Sequence, residues 1–225
     1  MRVANMREAR VRAGLTQGQL ADRLGVSQAY VSMVEADRRT PSAALARRLA
    51  RELALSPVTL PLQDAGVLSP DAVARALSGV GYPGLGYLKA KRPLNPAALL
   101  LGALTNPSLE GRLVEGLPWV AFRYPDLDWA WLVSHAKQQD LQNRLGYVVH
   151  LAFELATQKH ASETATRLEA VLQQLARAKL AHEDTLSEES MTDAERRWLR
   201  EHRPAAAAAW NILSDLTSES LLHDD

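Results

Sequence analysis

Apolar residues along this chain recur at helical spacing almost throughout, and no stretch alternates cleanly as a half-buried strand would. Over residues 5–54 the pattern breaks into short segments at Gly14, at Gly25 with Val26, and in a loop over 38–41. Ser56, Pro57 and Pro61 mark a predicted linker, because the two prolines disfavour helix. The stretch GYPGLG at 81–86 is a second break. A helix is predicted over 107–115, with Gly116 and Pro118 interrupting or kinking its continuation toward Tyr124. Asp126 or Asp128 can N-cap the next helix, whose apolar side includes Trp129 and Leu132. Leu141, Leu145, Val148, Ala152 and Leu155 then form one buried stripe. After Ser162 the helical pattern continues through Leu168, Leu172, Leu175 and Lys179. The acidic, polar stretch 182–191 reads as a mobile loop, and Thr192 begins a helix that ends near His202. Pro204 suits the first turn of a final Ala-rich helix carrying Trp210, Leu213 and Leu216, with a frayed tail after Ser218. The expected fold class is all-α.

The formal net charge of zero hides an asymmetry. Residues 1–56 hold ten arginines against five acids, a net +5, and the remainder is −5. Only the first quarter has the electrostatic footprint of a polyanion binder. With no cysteine there is neither a disulfide framework nor thiolate zinc. The charged N-terminus lacks the apolar core of a signal peptide, and the longest apolar run, near 97–104, is too short to span a bilayer. A cytoplasmic protein with no membrane partner is therefore expected.

The most informative segment is GLTQGQLADRLGVSQAYVSMVEADRRTPS, residues 14–42. Thr16 can N-cap one helix, small Ala21 allows a close helix crossing, and Gly25 suits a left-handed terminating position. Ser27 can cap a second helix, in which Val31 and Val34 face inward beside Leu24. This segment resembles the Cro/repressor-type (XRE) helix-turn-helix family, over about 50 of the 225 residues. The resemblance implies a lambda-repressor-like domain at 1–56, followed by a linker at 57–69 and an all-helical domain at 70–225. It also implies a double-stranded DNA operator as partner and an internal ion pair between Arg10 and Glu35, which makes Glu35 structural rather than a base reader.

Helix geometry then puts Gln28, Ala29, Ser32 and Met33 on the face a major groove would see. Gln28 can pair bidentately with adenine and Ala29 can meet a thymine methyl, although a merely solvated helix start is the alternative for Gln28. Met33 either packs against a sugar or shields the core. Thr16 and Gln17 at a helix N-terminus, Tyr30, and Arg38, Arg39, Thr40 and Ser42 after the recognition helix are candidate phosphate contacts, each arginine being equally compatible with simple solvation. One such domain covers only a few base pairs, so a homodimer is expected, with 70–225 as the dimerising part.

Residues 109–156 resemble, through their Leu-Pro-Trp, Asp-Trp-x-Trp-Leu and Asn-Arg-Leu-Gly phrases, regions that follow DNA-binding heads in antitoxin-type regulators of abortive-infection systems. That resemblance implies a protein partner, a toxin, as an alternative to a plain dimeric repressor or a ligand-responsive regulator. Trp119, Tyr124, Trp129 and Trp131 could line a partner or effector pocket. The competing reading makes them core anchors, with Trp131 off the buried stripe. No histidine pair has metal-ligand spacing, GYPGLG lacks the context of a phosphate loop, and no catalytic residues, cofactor or metal are expected. His150 reads as a satisfied helix histidine.

Overall fold

The computed structural model describes residues 4–62, 66–88, 90, 93–188 and 190–224. Residues 63–65, part of the expected linker, lie outside that set. Among the described residues the fold is all-α apart from one pair of two-residue strands.

Four helices build the N-terminal unit: α1 (Ala4–Arg12), α2 (Gln17–Leu24), α3 (Gln28–Glu35) and α4 (Ala43–Glu52). Their boundaries follow local chemistry. Thr16 and Gln19 form a reciprocal capping box at α2, and Gly25 ends that helix at φ 63°, a conformation that strains any residue with a Cβ. The Ser27 hydroxyl accepts the Tyr30 amide to start α3, and Ser42 does the same for α4. Met6, Ala9, Leu20, Ala21, Leu24, Val31, Val34, Leu49 and Leu53 close a small core between these helices. Val26, expected to bury in the turn, is half-buried against it.

The remainder comprises α5 (Pro70–Gly79), α6 (Pro96–Leu104), α7 (Gly111–Arg123), α8 (Trp129–Gln138), α9 (Gln142–Gln158), α10 (Ser162–Ala176), α11 (Asp193–His202) and α12 (Ala205–Ala209). Helix α9 is its axis, packed by α7, α8, α10 and α12. The expected stripe from Leu141 to Leu155 is buried, and so are Tyr147, Val149, Leu151 and Ala156 on other faces, because neighbours surround this helix. A second apolar cluster, from Val58 and Leu62 to Leu221, fills this body. It is separate from that of the N-terminal unit.

Several expectations are corrected. Helix α7 starts at Gly111 rather than at 107 and runs unbroken past Pro118. An interior proline costs roughly 3 kcal/mol, but Leu117, Val120 and Ala121 beside it are completely buried. Gly116 marks a close approach rather than a break: a Cβ there would lie 3.0 Å from the Leu77 side chain. Helix α10 ends at Ala176, short of Lys179. Within the stretch expected to be a mobile loop, 184–187 is tied into the body, with β1 (Asp184–Thr185) pairing in parallel with β2 (Ile212–Leu213) and Thr185, Leu186 and Ser187 buried. Trp210 and Leu213 therefore do not lie within the Ala-rich helix. Asn211, at φ 54°, turns the chain out of α12, and its side-chain amide donates to the Leu180 carbonyl at 2.7 Å. The tail is packed as far as Leu221. Ser218 is buried and accepts from Gln158, and Leu221 joins the core. The first part of the expected linker, 57–60, is docked as well: a 3-10 turn at Pro57–Thr59 is followed by buried Leu60, and Asn95, N-cap of α6, donates to the carbonyls of Val58 and Leu60 at 3.2 and 2.7 Å.

Candidate nucleic-acid interface

Helix α3 presents two faces. Val31 and Val34 turn into the core, and Gln28, Ala29, Ser32 and Met33 are all exposed on the other side. Met33 is 36% exposed, so it does not close the core. The row combines an amide, a methyl, a hydroxyl and a thioether, and carries no charge. Such a row can read base edges by hydrogen bonding and apolar contact without competing for phosphate.

Behind this row lies a buried ion pair. Arg10 on α1 donates through Nε to Glu35 Oε1 at 2.6 Å and through Nη2 to Oε2 at 3.2 Å. Its Nη1 reaches the Leu15 carbonyl at 2.7 Å, so one guanidinium ties α1, the α1–α2 turn and the end of α3. The Glu35 side chain is 4% exposed. Burial pushes its carboxyl up, but hydrogen bonds from Arg10 and then Gln17 outweigh that and hold it below its ordinary value. The hydrogen bond to Glu35 pushes the Arg10 guanidinium up in turn, so the pair stays charged.

The candidate phosphate contacts divide by how they are engaged. Gln17 donates one side-chain N–H to Glu35 Oε2 at 2.8 Å, which turns its amide toward the inside of the unit, and its main-chain N–H at the start of α2 is open to an anion. Thr16 and Ser42 accept cap hydrogen bonds and keep their own hydroxyl protons. Half-buried Tyr30 lies under the Arg39 guanidinium, 5.1 Å from its ring centroid, which stiffens both groups at the exit of α3. Arg38 and Thr40 are exposed.

Trp119, Tyr124, Trp129 and Trp131 each make contacts within the body. Buried Tyr124 donates its hydroxyl to the Val80 carbonyl at 2.6 Å. Trp119 meets Tyr124 edge-on at 6.4 Å and Tyr82 at 5.5 Å. Asp128 is the N-cap of α8, Trp129 Nε1 donates to the Pro125 carbonyl, and half-buried Trp131 stacks on His135 at 4.1 Å. The phrase Asn-Arg-Leu-Gly at the start of α9 has an equally structural use. Asn143 accepts the Leu180 amide and donates back to its carbonyl, and Arg144 grips Asp184 with two hydrogen bonds of 2.7 and 2.9 Å. Leu145 is core, and a Cβ on Gly146 would lie 2.3 Å from the Trp210 ring. His150 accepts the Trp210 indole N–H on Nδ1.

Sequence reasoning missed the Gln17–Glu35 and Arg144–Asp184 contacts and the Asn95 staple. Each partner lies 18 to 40 positions away, and no local pattern marks it. Among the described residues no cluster of His, Asp and Glu could hold a metal, and no helix is long and apolar enough to cross a membrane.

Residues 6–60 match the helix-turn-helix family model. That segment is a DNA-binding domain of transcription regulators of the Cro/repressor type, a family of regulators rather than of enzymes. No curated protein and no solved structure matches the chain.

Proposed function

We propose that this chain, with a helix-turn-helix domain at residues 6–60 as its DNA-binding head, is a repressor that grips its operator as a dimer. The observation that carries this reading is the uncharged exposed row Gln28, Ala29, Ser32 and Met33, backed by the buried Arg10–Glu35 pair that fixes α3. In this reading Gln28 and Ala29 read base edges, Ser32 and Met33 line the groove, and the main-chain N–H of Gln17 with Thr16, Tyr30, Arg38, Arg39, Thr40 and Ser42 holds the backbone on either side. One head buries roughly 600–1,000 Å² on DNA, which is too little for tight specific binding alone. The acidic body at 70–225 supplies the dimer contact. Selection by the full chain from a randomised duplex pool tests the proposal. Recovery of an inverted repeat with half-sites about one helical turn apart supports it. Enrichment of a single unpaired half-site, or of no sequence, overturns it.

A second reading, in which the body neutralises a basic toxin, draws on Trp198 of α11. It is 53% exposed beside a cleft rimmed by Glu188, Glu195 and Asp215. A stoichiometric complex with the neighbouring gene's product that Trp198→Ala releases would favour it.

A further inference from the structure

Helix α4 carries its charge on one side. Ala44, Arg47, Arg48, Arg51 and, just beyond its end, Leu55 follow at steps of 3, 1, 3 and 4, so they share one face. Ala46 and Leu49 turn the other way, into the head. Between that arginine face and Pro57 and Pro93 opens a cleft of about 460 Å³, and no acidic side chain lines it. Arg48 donates to the Arg23 carbonyl at 3.3 Å, whereas Arg47 and Arg51 make no ion pair among the described residues. Like charges a helical turn apart repel, so the arrangement is destabilising until an anion enters.

The lining has two chemistries. Guanidinium forks match the oxygens of a phosphate bidentately. Leu55, Pro57 and Pro93 form an apolar wall that can take an uncharged ring or chain. The volume lies within the range of small-molecule sites. Its placement is equally telling. One wall belongs to the DNA-binding head, and the other includes Pro93, two residues before the Asn95 that staples the connecting segment. We propose that this cleft binds a small organic phosphate at the joint between head and body, independently of the DNA-reading face.

Calorimetry on the full chain tests this without reference to any operator, so its failure is distinct from failure of the repressor reading. The probes are AMP, pyrophosphate and adenosine. AMP should bind saturably and more tightly than pyrophosphate, and adenosine should not bind. The double variant Arg47→Ala/Arg51→Ala, altered only at exposed positions, should keep its helical circular dichroism and lose AMP affinity by about tenfold or more. Arg38→Ala/Arg39→Ala should bind AMP as the unaltered chain does. Equal AMP affinity in the Arg47/Arg51 variant, a matching loss in the Arg38/Arg39 variant, or no saturation by about 1 mM AMP overturns the proposal. So does a Arg47/Arg51 variant whose duplex-DNA salt slope falls by about two units when the unaltered chain ignores AMP, because those arginines would then serve DNA phosphate.

Discussion

Glu35 accepts two hydrogen bonds from Arg10 and one from Gln17 while almost wholly removed from water. Deleting either charge strands the other, at a cost of about 3–5 kcal/mol in the limit of full burial. Glu35→Ala and Arg10→Ala should each lower the urea midpoint of the head, and the double variant should lose less than the two summed. Additive losses would mean that the contact contributes nothing. Gln17→Ala should cost less than either, since it leaves the ion pair intact. Acid provides a further check. Because the folded carboxyl titrates below its ordinary 4.5, its stabilisation is present above that value and disappears as pH falls through the folded one. Thermal melts should therefore show a shallower acid limb below pH 4.5 for Glu35→Gln than for the unaltered chain. Parallel limbs would exclude Glu35 as the titrating group. The residue types of the pair were legible in the sequence through the family resemblance, but the third partner was not, because α2 brings Gln17 to Glu35 only once the head has closed.

At the scale of elements, the proposed reading divides the work of recognition between α3 and its exit. Gln28→Ala should relax sequence preference and cost about 1–3 kcal/mol on the selected operator. Arg39→Ala should weaken binding to all sequences alike and flatten the salt slope by about one unit. Anisotropy titrations on matched and scrambled duplexes separate the two, and an identical, sequence-independent loss would refute the division. In the body, α9 makes the sharper test. Gly146→Ala would drive a methyl into the Trp210 ring, so that the indole must leave its seat against His150. The variant should lose about 1–3 kcal/mol and shift tryptophan emission; an unchanged spectrum and midpoint would show that the contact yields freely. The same helix shows where sequence reading stops. The head's helices were legible because Thr16, Gly25 and Ser27 write their ends locally. The five-alanine run of α12 promised a longer helix, and only the left-handed Asn211, fastened to Leu180, ends it and sends Ile212 and Leu213 into a strand pair. Two paired residues are too short for any alternation to show.

For the molecule as a whole, the two apolar clusters part between Leu55 and Val58, close to the boundary at which the basic surplus ends. Truncation after residue 57 should leave a folded head that binds half-site DNA weakly and with steep salt dependence. A monomeric fragment with full operator affinity would remove the need for a dimer. The charge split was readable from composition. The attachment of one unit to the other was not, because Pro57 and Pro61 look like a tether until Asn95 is seen holding the carbonyls between them.

That staple has a consequence for the operator. Heads on slack chains would reach targets set at many separations, since a flexible tether is indifferent to a few ångströms or to rotation about the duplex. In the dimer proposed above, heads clamped to their bodies would behave as the two points of a fixed caliper. Inserting about five base pairs between half-sites, which turns one to the opposite side of the double helix, should then reduce affinity to that of a lone half-site. Asn95→Ala should restore part of the binding to the misphased operator while weakening binding to the natural spacing. Gel-shift titrations over a ladder of spacers would show a single sharp optimum for the unaltered chain and a broad one for the variant, and equal breadth in both would show that the staple sets no distance.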